Sequence, residues 1–194
     1  MKIIGSRDRW MEAIAIVQKA VPSRSTLAIL DGILVEADET VKLTGYDLET
    51  GIECLMEADI REKGHIVVPS RMFGDIIRKL PEDIVMMEVS ENGQITIDSG
   101  KTHFTIKGIA ADGYPKIPVV DNGKAVSIRQ SLLKDMIRQT IFAVSSDESR
   151  PTLNGCYLRC EGNQVEMVAI DGFRLALRRK TVEGDEVGTM SFIV

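Results

Sequence analysis

The sequence predicts an α+β protein built from two copies of one unit, each with helices on one face of antiparallel sheets. Three observations predict it. Amphipathic helical stretches precede strand-like runs, alternating segments are joined by turn signals, and one pattern recurs at long range. Leu30-Asp31-Gly32 and Leu153-Asn154-Gly155 each lead into a strand-like run, a polar turn and a second apolar run ending in an aspartate, Asp47 or Asp171. Gly155 stands 123 residues after Gly32 and Asp171 stands 124 after Asp47, so the copies stay in register apart from one inserted residue. Trp10, Ala13, Ile14 and Val17 precede Leu133, Met136, Ile137 and Thr140 by the same 123 residues, so the helical phase is shared as well. A period far above the ~20–50 residues of a solenoid unit reads as duplication of a whole domain.

In chain order, Lys2 to Ile4 is a short strand, and Ser6 or Asp8 can cap a helix running to about Ala20. Strands are expected at about 28–37, 40–46 and 49–59, then at 65–68 after a polar loop, Arg61-Glu62-Lys63-Gly64. Ser70 is expected to cap a second helix, Arg71 to Leu80, which Pro81 stops. Strands at about 84–90, 94–98 and 102–108 follow, joined by the hairpin signal Asn92-Gly93 and by Ser99-Gly100-Lys101. Residues 110–122, with Gly113, Pro115 and Pro118, form the linker. The second copy then opens with a strand at 125–129 and a helix from about 131 to 144. Residues 1–120 read as a complete unit. Residues 121–194 read as the N-terminal half of another, because Phe192-Ile193-Val194 aligns with Ile66-Val67-Val68 and the second helix of the repeat does not follow.

Of 194 residues, 44% are hydrophobic and 27% charged, ordinary for a globular protein. No run approaches the ~18 apolar residues of a membrane span. The first residues lead into a polar segment without a secretory signal pattern, which with three cysteines predicts reduced thiols and a cytoplasmic protein. Cys156 and Cys160 share one strand face without a nearby histidine, which favours core thiols over a metal pair. A net charge of −5 argues against a whole-surface nucleic-acid coat but allows bases gathered on one face.

No catalytic constellation is present: neither G-x-S-x-G nor H-E-x-x-H nor a phosphate-binding G-x-x-x-x-G-K-[ST] occurs, and His65 and His103 sit in strands without a nucleophile. Asp47 and Asp171, at repeated turns, are expected to hold their own backbone in Asx-type bonds rather than to act as a carboxylate pair. The basic residues carry more information. Arg71, Arg78 and Lys79 share the polar side of one helix, and Lys134, Arg138 and Gln139 that of another. Either cluster alone reads as a solvated face. Repeated in related domains, they predict a basic stripe that tracks phosphates without reading bases.

Together these segments resemble the bacterial β sliding clamp, the processivity subunit of DNA polymerase III. The resemblance covers the whole chain. It rests on Arg24-Ser25-Thr26-Leu27-Ala28-Ile29-Leu30, Leu43-Thr44-Gly45-Tyr46-Asp47-Leu48-Glu49, Val68-Pro69-Ser70-Arg71, Asp112-Gly113-Tyr114-Pro115, Arg150-Pro151-Thr152-Leu153-Asn154-Gly155 and Asp171-Gly172-Phe173-Arg174-Leu175-Ala176. It implies repeated sliding-clamp domains, three per subunit with the third absent here. The homodimer is then a non-catalytic, cofactor-free ring with helices around duplex DNA and sheets outside. It also implies DNA contacts from Arg24, Arg71, Arg78, Lys79, Lys134, Arg138 and Gln139. Polymerase, clamp loader and repair proteins would dock by a short peptide in a cleft whose second-domain wall is Arg150, Leu153, Ile170, Gly172, Phe173, Arg174 and Leu175. Phe173 stands where a histidine is common, and Pro151 and Thr152 where the loop often carries aromatics. Lys101, His103, Phe104 and Ile106 match the edge that meets a partner subunit. As a fragment, the chain is expected to bind peptides weakly and to be unable to close a ring. The rival readings are a small α+β enzyme using Asp47 or Asp171 and a truncated interaction module that sequesters clamp partners.

Overall fold

A computed structural model describes residues 1–22, 25–119, 127–182 and 189–194. The chain divides into two compact units, Met1–Pro118 and Val119–Val194.

In the first unit, strand β1 (Lys2–Ser6) leads into helix α1 (Arg7–Val17), which tightens into a 3-10 turn at Gln18–Ala20. The predicted apolar stripe is the buried one: Trp10, Ala13, Ile14 and Val17 all face the core. Ser6 takes the N-cap position, but its hydroxyl makes no capping bond. Strands β2 (Gly32–Ala37), β3 (Val41–Tyr46), β4 (Gly51–Met56), β5 (Asp59–Glu62) and β6 (Gly64–Pro69) follow. The segment expected as one strand over 49–59 is therefore two, and they part company. β4 pairs with β3, whereas β5 crosses to pair with β1 in another sheet. Arg61 and Glu62, expected in a loop, lie in β5, whose polar side chains suit a sheet edge. Residues 28–31 form a 3-10 turn rather than the start of β2.

Helix α2 (Ser70–Lys79) buries Phe73, Gly74, Ile76 and Ile77. Pro69 rather than Ser70 holds its N-cap position, and Ser70 is already helical. The hairpin pair β7 (Ile84–Val89) and β8 (Gln94–Ser99) turns through Gly93 at φ +75°, and β9 (Thr102–Lys107) follows Gly100 at φ +58°. These left-handed values are what glycine supplies at low cost. The unit has two antiparallel sheets, ordered β5-β1-β7-β8-β9 and β4-β3-β2-β6. One core joins both sheets and both helices, with Trp10 meeting Phe73 edge to face at 5.5 Å.

In the second unit, 125–126 of the expected opening strand lie outside the described residues, and 127–129 form no strand. Helix α3 (Gln130–Thr140) ends in a 3-10 turn, Ile141–Ala143. Strands β10 (Tyr157–Glu161), β11 (Gln164–Ile170), β12 (Leu175–Thr181) and β13 (Met190–Ile193) form a sheet ordered β12-β11-β10-β13. That order matches β4-β3-β2-β6 strand for strand, so the repeat in sequence is a repeat in topology. Met136 and Thr140 are buried against Cys156, Leu158, Cys160 and Met167, with Leu133 and Ile137 half-buried. Both thiols lie in this core, and burial pushes that of Cys160 above its usual range. Among the described residues no group of three His, Cys, Asp or Glu side chains could hold a metal ion. Among the described residues no helix is long and apolar enough to cross a membrane.

Candidate nucleic-acid and partner interfaces

Helix α2 turns its polar side, Arg71, Asp75, Arg78 and Lys79, to solvent while its apolar side packs inward. Arg78 and Lys79 lie in the last turn, where cations suit the helix dipole. Arg78 bonds Asp75 one turn earlier at 2.6 Å, both side chains exposed, so three cations face one anion on this surface. Such exposed pairs contribute roughly 0–1 kcal/mol and exchange readily for other partners.

The helix is aimed by contacts no local pattern foretells. Gln18 donates through Nε2 to the carbonyl and hydroxyl of Ser70, at 2.9 and 3.3 Å, fixing the start of α2. Arg7 donates through Nη1 to the Leu80 carbonyl at 3.0 Å, satisfying an acceptor at its other end. Helix α3 likewise exposes Lys134, Arg138 and Gln139, with Asp135 3.8 Å from Arg138. Arg24 lies outside the described residues.

Two aspartates make the same turn. Asp47 Oδ1 accepts from the amides of Glu49 and Thr50 at 2.9 and 2.5 Å. Asp171 Oδ1 accepts from those of Phe173 and Arg174 at 2.9 and 3.0 Å. Both carboxylates are thus committed to their own backbone, as the Asx reading expects. Arg174 Nε adds a 2.7 Å bond to Asp171 Oδ2. The two backbone donors, followed by that side chain, hold the Asp171 carboxyl below its usual range.

Around this turn lies a cleft of about 390 Å³ lined by Val144, Ser145, Ser146, Asp147, Arg150, Asp171, Gly172, Phe173 and Arg174. Four of the expected wall residues therefore converge: Arg150, Gly172, Phe173 and Arg174. Phe173 is 100% exposed, held out by Gly172 at φ +94°. Ile170 and Leu175 pair across β11 and β12 beside the cleft, and Leu153 closes a 3-10 turn, Pro151–Leu153, without lining it. The sequence reading missed Asp147, whose carboxylate accepts from the Ser149 hydroxyl at 2.6 Å and amide at 3.0 Å; those bonds, the hydroxyl's first, lower its pKa. The Asp-x-Ser spacing was the signal available. It also missed Phe142, whose ring lies 6.0 Å beneath the Arg174 guanidinium.

The remaining group sits at β9, an edge strand paired only with β8 among the described residues. Lys101, His103 and Phe104 are exposed, and His103 Nδ1 lies 2.6 Å from Asp98 Oδ1. Ile106, on the same edge strand, is 8% exposed and packs in the core of the first unit. Phe104 shares its strand face but stands beside α2, closing a hollow of about 400 Å³ with Met72, Ile76 and Lys79.

These features agree with what the chain is similar to. Residues 1–118 match the family described as DNA polymerase III beta subunit, N-terminal domain, and residues 127–194 match the central domain of the same subunit. A beta sliding clamp from Bacillus subtilis is 38% identical over 203 residues, covering 100% of this chain and 54% of the relative. One from Halalkalibacterium halodurans is 36% identical, covering 96% of this chain and 51% of the relative. The crystal structure of the B. subtilis DNA polymerase sliding clamp superposes at TM-score 0.95 with 36% identity, covering 100% of this chain and 53% of that one. A Pseudomonas aeruginosa DnaN sliding clamp bound to griselimycin does so at TM-score 0.90 and 29% identity, over 100% of this chain and 53% of that one. The chain spans about half the length of the relatives it matches. By both domain matches and by fold, it belongs to the DNA polymerase III beta subunit family.

Proposed function

We propose that the chain supplies the first domain and the opening half of the second domain of a DNA sliding clamp, a non-catalytic cytoplasmic processivity factor that encircles duplex DNA as a ring-shaped homodimer. The observation that carries this reading is the pair of solvent-facing helices, α2 and α3, each apolar on its packed side and cationic on the other. Arg24, Arg71, Arg78, Lys79, Lys134, Arg138 and Gln139 hold phosphates weakly, and enclosure rather than affinity keeps the protein on DNA. In this reading polymerase, clamp loader and repair proteins dock in the cleft walled by Arg150, Leu153, Ile170, Gly172, Phe173, Arg174 and Leu175. Lys101, His103, Phe104 and Ile106 meet a partner subunit.

A salt series with short duplexes tests the DNA contacts. Weak, sequence-independent binding is expected, and replacing Lys134 or Arg78 by glutamate lowers the salt slope by about 1 per lost phosphate contact. Binding that depends on sequence or ignores salt would contradict the proposal. Retention on circular DNA is expected to fail for this chain alone and to be regained in a full-length ring.

A second reading, an interaction module that captures clamp partners, is favoured by the cleft, four of whose proposed wall residues converge within one unit. Competition of this chain with an intact clamp for a partner peptide separates the two: weak competition supports the ring reading, full competition the module.

A further inference from the structure

Phe142 lies in the 3-10 turn that follows α3, Ile141–Ala143, and its ring is 6.0 Å from the Arg174 guanidinium. Arg174 is also bonded through Nε to Asp171 Oδ2 at 2.7 Å. Two separate contacts thus restrain one guanidinium. Among the described residues neither Nη group of Arg174 donates a hydrogen bond, so that edge stays open on the cleft that Arg174 lines. Arg150 borders the same cleft with a looser hold: its Nε is 3.7 Å from Asp147 Oδ2 and no ring lies beneath it.

The first unit provides a control for this pair. Phe142 aligns with Lys19, 123 residues earlier, and Arg174 with Thr50, 124 residues earlier, and both of those are exposed. Exposure at the two positions therefore belongs to the frame of the repeat. The aromatic–arginine pair belongs to the second copy alone, on the turn that borders the cleft.

We propose that Phe142 is a positioning residue of this cleft: with Asp171 it holds Arg174 so that the free Nη edge takes a carboxylate of a bound peptide. Phe142 does not itself line the cleft, so it acts through Arg174. A guanidinium is attracted to a ring face and still presents a planar fork that matches a carboxylate with two parallel bonds. Restrained beforehand on two sides, it loses less rotamer freedom when that bond forms. The inference rests on the proposed reading of the cleft as a peptide site.

The test titrates N-acetyl-leucyl-leucine, an aliphatic dipeptide that adds no ring current, and its C-terminal amide into the isotope-labelled full chain. The free acid is expected to shift the Arg174 Nε–H signal and the Gly172 and Phe173 amides saturably, and the amide form to bind more weakly. Phe142→Leu should move the Arg174 Nε–H signal in the free protein and weaken the acid about two- to fivefold, whereas Phe142→Trp should restore both. Arg174→Gln should abolish the preference for acid over amide. If the acid shifts none of these signals, the peptide reading of the cleft fails and the proposal with it. If the acid binds and Phe142→Leu binds it as tightly as the parent, the cleft reading stands and the positioning role is overturned. Weakening by leucine that tryptophan does not restore also overturns it, since packing alone would then account for the loss.

Discussion

The turns after β3 and β11 use one device with different residues. Both are closed by an aspartate accepting two amides, and both place the next residue at positive φ: Leu48 at +79° and Gly172 at +94°. The first turn holds a branched side chain where it is strained, by about 1–2 kcal/mol. The second relieves that strain with glycine, and the following Phe173 projects wholly into solvent. The backbone frame was thus retained through duplication while the side chains it presents diverged.

The largest expected effect asks whether the two units stand independently. Trp10→Ala should cost the first unit roughly 3–5 kcal/mol, and Met136→Ala the second roughly 2–5 kcal/mol. Chemical denaturation followed by probes in each unit should show two transitions, each moved only by its own mutation; one shared transition would erase the distinction.

Tyr114, which packs on Leu34, Tyr46 and Val67 and whose hydroxyl donates to the Thr44 carbonyl at 3.3 Å, gives the next largest. Burial pushes the Tyr114 phenol up to about 12, so its neutral form is favoured by folding. Because the folded value is raised, this stability is complete below the unfolded value of about 10 and is lost as pH climbs towards 12, on the order of 2 kcal/mol. Alkaline denaturation of the first unit should show the loss, and Tyr114→Phe should abolish that slope.

Leu48→Gly should stabilise the first unit by up to about 1 kcal/mol, and Gly172→Ala should destabilise the second by about as much. Thermal melts of the two variants moving in the same direction would undo the parallel between the turns. The smallest effect concerns Asp171. Its lowered pKa means that the turn is held above the ordinary carboxylate range and released as pH falls through the folded value, on the acid side of 3.8. Carboxyl NMR titration should find Asp171 titrating below a typical aspartate, and Arg174→Ala should raise its value only in part, because the two backbone donors remain.

Much of this was legible in the sequence because the signals were local or periodic. The stripe of α1, the hairpin at Asn92-Gly93 and the aspartate turns depend on neighbours a few residues away. So does the exposure of Arg78 and Lys134. What escaped was set by distant partners. No spacing rule links Gln18 to Ser70 or Arg7 to Leu80, and Ser70 reads as a cap in the sequence because a hydroxyl before a helix is the local signature of one. The split of 49–59 into β4 and β5 escaped for the same reason, since sheet membership is decided by partners and not by alternation.

The two polar clasps on α2 have a further consequence. Since Gln18 and Arg7 grip its ends and Phe73 and Ile77 anchor its underside, nothing in its orientation depends on Arg71, Arg78 or Lys79. Their charges are therefore free to be retuned, strengthened or removed by substitution without shifting the scaffold that carries them. A lineage adapting to a change in ionic strength could adjust the charge of this surface one side chain at a time.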